Sequence, residues 1–465
     1  MNLDWHHIDR WIMGEAWVGS HIDAHLVELC DRIGPRWSAS EAEWRTVNYL
    51  HDQFAASGLP QVALEEYKLD TWAWDAASAQ LVAPGGNNGR AIDILPFNRC
   101  PSVDIEASLV DAGFGTVREI GEGGEQLRGS IAVVALGFEP FTAPLPLSTR
   151  LQMLADAGAQ AAVVVDRKEG GRKEYHNAGD WTEPGPERQP LPAVTVSRED
   201  GALLRRVARR GLRLRLAVKS TFYEAASHNV AAELPGSRWP GEHLLVGGHH
   251  DTVYGAPGGN DNASGTTVVL ETARVLAKVQ RELGVQPGRS IRFVTYSAEE
   301  QKLQGATAYV ERHYRSGAES PPQLAINLDE LSTGNMKGLV LAFPHLRNLI
   351  QRQFDQMGDG LRCHVMAQLD ASSDHFPFIQ AGIDAAFLWR WRFAGRHPDA
   401  DFHHEPGDTL DKVRVRELKE YVGYLARLLL RLSHVPPESW PANPVTVDEV
   451  SARLERERGQ VVRVF

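Results

Sequence analysis

From about residue 226 onward the chain alternates short, almost uninterrupted apolar runs with long amphipathic stretches. The runs are LLVGG at 244–248, IRFVTY at 291–296, LAINL at 324–328 and AAFLW at 385–389. A strand that is apolar on both faces must be covered on both faces, which is the condition of a parallel sheet packed between helices. The rhythm therefore predicts an α/β fold with a mixed, largely parallel sheet flanked by helices. In such sheets, ligands bind beyond the carboxyl ends of the strands. Those strand ends are where reactive side chains are expected.

Upstream the style differs. Ser40 with Glu43 three positions later reads as a capping box ahead of Trp44, Val47, Leu50 and Phe54, which recur at helical spacing. The composition then shifts to Pro, Gly and Asn in APGGNNGR at 83–90, as at a domain crossing. Beyond it, the β runs ASLVDAG, SIAVVAL, AAVVV and PAVTV are separated by Gly-rich turns and one helical stretch near 149–157, the pattern of a small α/β module. The expected organisation is an N-terminal part of the catalytic domain (1–90), an inserted module (91–222), the main catalytic domain (223–435) and a C-terminal extension (436–465).

A net charge of −11 disfavours nucleic acid as a partner. The basic run Arg205–Arg215 reads as a solvated face, because Leu203, Leu204 and Val207 fit one side of a helix while Leu212, Leu214, Leu216 and Val218 alternate as in a strand. Cys30, Cys100 and Cys363 are widely separated and show no paired spacing, so reduced, buried thiols are expected. The N-terminus lacks a basic start followed by an apolar segment, and no stretch reaches the ~18 apolar residues of a membrane span. No membrane partner is expected, and a cytoplasmic location is the default expectation.

The chemistry lies at the strand ends. The first run leads into His249-His250-Asp251-Thr252. His249 and Asp251 share a face of extended backbone, so a metal-bound His249 could donate its second ring nitrogen to Asp251. Next comes GGNDNASG at 258–265, where Asp261 reads either as a helix cap or, having two carboxylate oxygens, as a bridge between two cations. The IRFVTY strand runs into Glu299-Glu300, of which one can bind metal while the other acts as general base. LAINL ends at Asp329, and FHHEPGDT at 402–409 supplies His403 and His404. Each has an ordinary explanation alone. Together, His, Asp, Glu, Asp and His give five donors of the type zinc accepts, and three carboxylates plus a hydroxide balance two Zn²⁺.

At the blocks GGHHDT, GGNDNASG, SAEEQKLQGA, INLDE, SSDHFPFIQAG and FHHEPGDT the sequence resembles the co-catalytic zinc aminopeptidase and glutamate carboxypeptidase family, which includes the carboxypeptidase Q group. The resemblance implies that His249, Asp261, Glu300, Asp329 and His404 ligate two Zn²⁺, with Asp261 bridging and Glu299 as base, and the His249–Asp251 spacing adds Asp251 as a further catalytic-site residue. The spacing to Asp408 favours His404 over His403. It also implies that 91–222 is a protease-associated domain and that Ser373-Asp374-His375 lies beside the substrate cleft.

The implied function is a metallopeptidase that hydrolyses terminal peptide bonds, first of all as an aminopeptidase. A carboxypeptidase Q-like dipeptidase, a single-zinc acyl transferase like glutaminyl cyclase, and an inactive binding homologue are the rivals. Glu330 could hold a substrate amine, and Arg390 or Arg392 a substrate carboxylate. The expected partners are a peptide substrate and, as an option, a second copy in a homodimer.

Overall fold

The computed structural model describes residues 3–82, 88–138, 145–177, 189–334, 336–358, 363–388 and 402–456. The chain divides into two compact units: Met1–Leu69 with Ala226–Phe465, and Asp70–Ala225. Both crossings fall within long strands, Gln61–Val82 and Arg213–Leu234. The second unit thus begins at Asp70, ahead of the turn-forming composition at 83–90 that marked the boundary in the sequence. In that stretch, Asn88–Ile92 is a strand that pairs antiparallel with Gln61–Val82. Residues 83–87 lie outside the described residues.

In the first unit the sheet runs in the order His364–Ala367, Gly338–Leu341, Ala385–Leu388, Ala325–Asn327, Trp239–His249, Arg289–Tyr296 and the end of Arg213–Leu234. The central four are parallel, while the pairings of Gly338–Leu341 with Ala385–Leu388 and of Arg289–Tyr296 with Arg213–Leu234 are antiparallel. The expected α/β class, with a mixed and largely parallel sheet, is what the chain forms. Register then does the positioning: Tyr296 pairs with His249, and Asn327 with Gly247. Two of the strands end level and the Ala325–Asn327 strand stops two residues short, so the segment after each strand emerges at the same edge.

The helix Gly265–Leu283 is buried on most of its circumference, with Val268, Val269, Ala273, Val275, Leu276 and Val279 in the core. It stops at Gly284, whose φ of +66° and N–H to the Gln280 carbonyl make a left-handed C-cap. In Glu41–Ala56 the Ser40 side chain accepts from Glu43 N as expected. The Glu43 carboxylate instead accepts from Ala39 N and turns its other oxygen inward to Ser227. Val47, Leu50 and Phe54 are buried, whereas Trp44 is exposed and tilts against the His228 ring.

The second unit contains the parallel strands Val103–Asp111, Ile131–Ala135, Ala161–Val165 and Ala193–Val196 with an antiparallel edge at Ile94–Pro96. Its basic run is paired along its surface: Arg205 and Arg209 with Asp111, Arg213 with Glu106, and Arg215 with Asp104. Cys30, Cys100 and Cys363 are buried thiols outside any disulfide. Among the described residues no helix is long and apolar enough to cross a membrane.

Candidate metal centre

His249 is the last residue of its strand, and Thr266 Oγ1 holds its carbonyl at 2.6 Å. Its Nδ1 lies 3.2 Å from the Asp251 carbonyl and 3.4 Å from Asp251 Oδ1. With a proton on Nδ1, Nε2 is left as a lone-pair donor. That atom points to Asp261 Oδ1 at 3.2 Å and Asp329 Oδ1 at 3.4 Å.

Asp261 follows Gly258, whose φ is +62° and whose missing side chain would strike the Asp261 carbonyl at 2.3 Å. The backbone approaches its own chain here, and only glycine permits it. Ser264 is the N-cap of the following helix, and Asn262 rather than Asp261 accepts from the helix's first N–H, that of Gly265, at 2.9 Å. The Asp261 carboxylate is therefore free of capping duty, and its two oxygens face two sides: Oδ1 toward His249, Oδ2 toward His404 Nε2 at 3.4 Å. Asp408 steadies the loop, accepting from Asn260 N at 2.9 Å and Asp261 N at 3.0 Å.

Glu299 and Glu300 leave the Arg289–Tyr296 strand through Ala298, which adopts φ +54°. Glu330 (φ +49°) and His404 (φ +56°) are likewise non-glycine residues in the left-handed region, each at or beside a candidate donor. Such conformations cost an L-residue about 1–2 kcal/mol and persist where the surroundings impose them.

Both His403 and His404 reach Asp261 Oδ2 at 3.4 Å, with their rings stacked 3.7 Å apart. His404 also approaches Glu300 Oε2, at 3.1 Å, while His403 groups with Asp261 and Glu330. His250 faces the other way, its Nε2 at 3.5 Å from Glu43.

The structure thus brings His249, Asp261, Glu299, Glu300, Asp329 and His404 into one buried cluster with Asp251 behind His249. Arg390 and Arg392 lie outside the described residues. In the block Ser373-Asp374-His375, Ser373 Oγ accepts from Asn327 Nδ2 at 2.7 Å and His375 Nε2 lies 3.4 Å from Asp370 Oδ1.

The electrostatics are those of too many carboxylates for the cations present. Burial pushes Glu299 well above the usual carboxylate range, with Glu300 and Asp329 adding to it against His249. Burial likewise lifts Glu300 to about 7, opposed by His404. Burial also works against the charge on Asp261, but His249 and His404 outweigh it and hold that carboxyl well below its ordinary value. Desolvation disfavours the His249 imidazolium, yet Glu299, Asp251, Asp261 and Asp329 together draw its pKa upward.

His249 Nε2 and Glu300 Oε1 are buried with no hydrogen-bond partner. Their donor atoms and those of Asp261 lie within 4.8 Å of one another, as do those of His249, Glu299 and Asp329. Orphaned lone pairs, imidazole with carboxylate and surplus negative charge are what a divalent cation of zinc's type would satisfy. The residues fit such a cation.

Arg36, Ser38 and Glu43 pack behind His249-His250-Asp251 and were not among the residues expected at the site. Their only signal in the sequence is polar residues in and after a turn that precedes a helix.

Residues 229–429 match peptidase family M28, and residues 78–204 match the PA domain. The chain is 25% identical over 410 residues to carboxypeptidase Q of Bos taurus, covering 87% of this chain and 83% of that one. It is 26% identical over 419 residues to aminopeptidase YwaD of Bacillus subtilis, covering 86% and 82%. Among solved structures, the zinc aminopeptidase BSAP from Bacillus subtilis has the same fold, with a TM-score of 0.71 at 23% identity over 91% of this chain and 97% of that one. The two matched segments, taken with an imidazole and carboxylate cluster inside the first of them, make residues 229–429 an M28 peptidase domain and the chain a metallopeptidase that also carries a PA domain.

Proposed function

We propose that the protein is a zinc-dependent aminopeptidase with two Zn²⁺ per chain. His249 and Asp329 would hold one ion and His404 and Glu300 the other, with Asp261 serving both. The observation that carries this reading is the two-sided Asp261 carboxylate, one oxygen 3.2 Å from His249 and the other 3.4 Å from His404. When bound, zinc supplies Lewis-acid polarisation of the scissile carbonyl and acidifies water.

The chain's own residues do the rest. Asp251 holds the His249 ring so that Nε2 faces inward. Glu299 is buried in the same cluster as His249 and Asp329, where its ionised carboxylate could take a proton from water and return it to the leaving amine. Glu330 lies in the same cluster as Asp261 and His403, and its Oε1 accepts from Asn260 Nδ2 at 3.3 Å. A further carboxylate beside the ligands suits a substrate ammonium better than a substrate carboxylate.

A second reading, a carboxypeptidase Q-like dipeptidase, is favoured by the similarity to carboxypeptidase Q over 87% of the chain. A panel of dipeptides blocked at either end separates the two. An aminopeptidase loses activity when the amine is acetylated and keeps it when the carboxylate is amidated. For the base, Glu299→Gln should lower kcat by roughly 10²–10⁴-fold with zinc content near two per chain. Loss of zinc together with activity would make Glu299 a ligand instead.

A further inference from the structure

We propose that Ser38, in the turn before the Glu41–Ala56 helix, is a positioning residue that sets the catalytic base through Asp251. The inference rests on the reading of Glu299 as base. Ser38 and Asp251 are 213 positions apart in sequence, yet Ser38 Oγ donates to Asp251 Oδ2 at 3.0 Å. A hydroxyl has one proton, so its remaining capacity is for accepting. It accepts from Ala298 N at 3.0 Å and from Ser297 Oγ at 3.2 Å. The other Asp251 oxygen accepts from Glu299 N at 3.1 Å and lies 3.4 Å from His249 Nδ1. One carboxylate therefore orients both the ring of the first histidine and the backbone of the base, and Ser38 fixes that carboxylate while gripping the same turn one residue earlier.

The turn needs the grip. Ala298 sits at φ +54°, which an L-residue does not adopt without outside support. Two consecutive N–H groups, of Ala298 and Glu299, are held by acceptors from other parts of the chain. Ser38 and Asp251 are both buried, so the deleted hydroxyl is not readily replaced by solvent.

The segment that carries Ser38 is itself pinned to the metal loops. The fully buried Arg36 guanidinium donates to the carbonyls of His250 at 2.5 Å, Pro257 at 2.6 Å and Gly258 at 3.2 Å, and more weakly to Gly34 and Leu29. Arg36 N also donates to Thr252 Oγ1 at 3.0 Å. The N-terminal segment is thus built into the site.

The test is kinetic and uses the zinc-loaded full chain. Ser38→Ala should lower kcat on the order of 10-fold, with KM and zinc content close to wild type, and Ser38→Thr should restore most of the rate. In a double-mutant cycle, Ser38→Ala should cost little more once Asp251→Asn is present, because both act through one carboxylate. Full multiplication of the two losses, an unchanged kcat in Ser38→Ala, or loss of zinc together with rate would each overturn the proposal. Full activity in Asp251→Asn or Glu299→Gln would instead sink the underlying reading, so the two failures are distinguishable.

Discussion

Replacing Asp408 with Asn changes one atom of a buried side chain and tests how the Asp261 loop is held. Asp408 uses both carboxylate oxygens, one on Asn260 N at 2.9 Å and one on Asp261 N at 3.0 Å. An amide has a single acceptor oxygen, so one of these buried N–H groups would face an NH₂ group and lose its partner. A buried donor left unsatisfied costs about 1–3 kcal/mol. A second effect runs the other way: burial lifts the Asp408 carboxyl to about 7, so its charge is costly to keep and a neutral amide recovers part of that cost. The net penalty is about 1–2 kcal/mol, which falls on the loop that presents Asp261. If that loop must be re-formed to bind metal, the penalty corresponds to roughly 5- to 30-fold weaker zinc binding. Competition for zinc against a fluorescent chelator reads this directly, alongside thermal unfolding of the zinc-free protein. Zinc affinity and unfolding temperature both equal to wild type would refute the reasoning, because the loop would then be held by something other than Asp408.

The packing and the buried charge give two further outcomes. Gly265→Ala would place a methyl carbon 2.3 Å from the Leu328 carbonyl and 2.4 Å from Asn262 Oδ1. The cost should be about 1–3 kcal/mol in chemical denaturation, and a variant as stable as wild type would show that the helix start can shift freely. Burial, with a smaller contribution from Arg292, depresses His243 to about 3, and its Nε2 lies 3.0 Å from Tyr314 OH. Its unfolded value is about 6.5, so its contribution to stability is intact above that pH and is lost as the pH falls toward 3, by up to about 1.4 kcal/mol per unit. His243→Gln should flatten the stability-versus-pH curve in that window, and an unchanged slope would mean that His243 is solvated in the folded protein.

The strands and the donor types were legible because both are local. An apolar run followed at once by His249, by Glu299-Glu300 or by Asp329 carries its secondary structure and its chemistry within a few residues, and parallel register then brings the ends to one edge of the sheet. The boundary at Asp70 was not legible, because the chain crosses inside a continuous strand where composition does not change. The strand Asn88–Ile92, at the end of the Gly-rich stretch, pairs with Gln61–Val82 inside the second unit.

Within the doublets the resemblance favours His249, Glu300 and His404, and the tertiary structure separates the neighbours physically. His249 and His250 are chemically identical neighbours, and only the fold turns one toward Asp261 and the other toward Glu43. His403 and His404 are both near Asp261, and an approach to Glu300 at 3.1 Å marks out His404. The residues that hold the site, Arg36, Ser38 and Asp408, act through hydrogen bonds to partners more than a hundred positions away. By itself the sequence determined which chemical groups stand at the strand ends, since strand and donor are contiguous. Tertiary structure alone decided how those groups are aimed, since the buried partners that aim them come from distant parts of the chain, and no spacing rule links a serine at 38 to a carboxylate at 251.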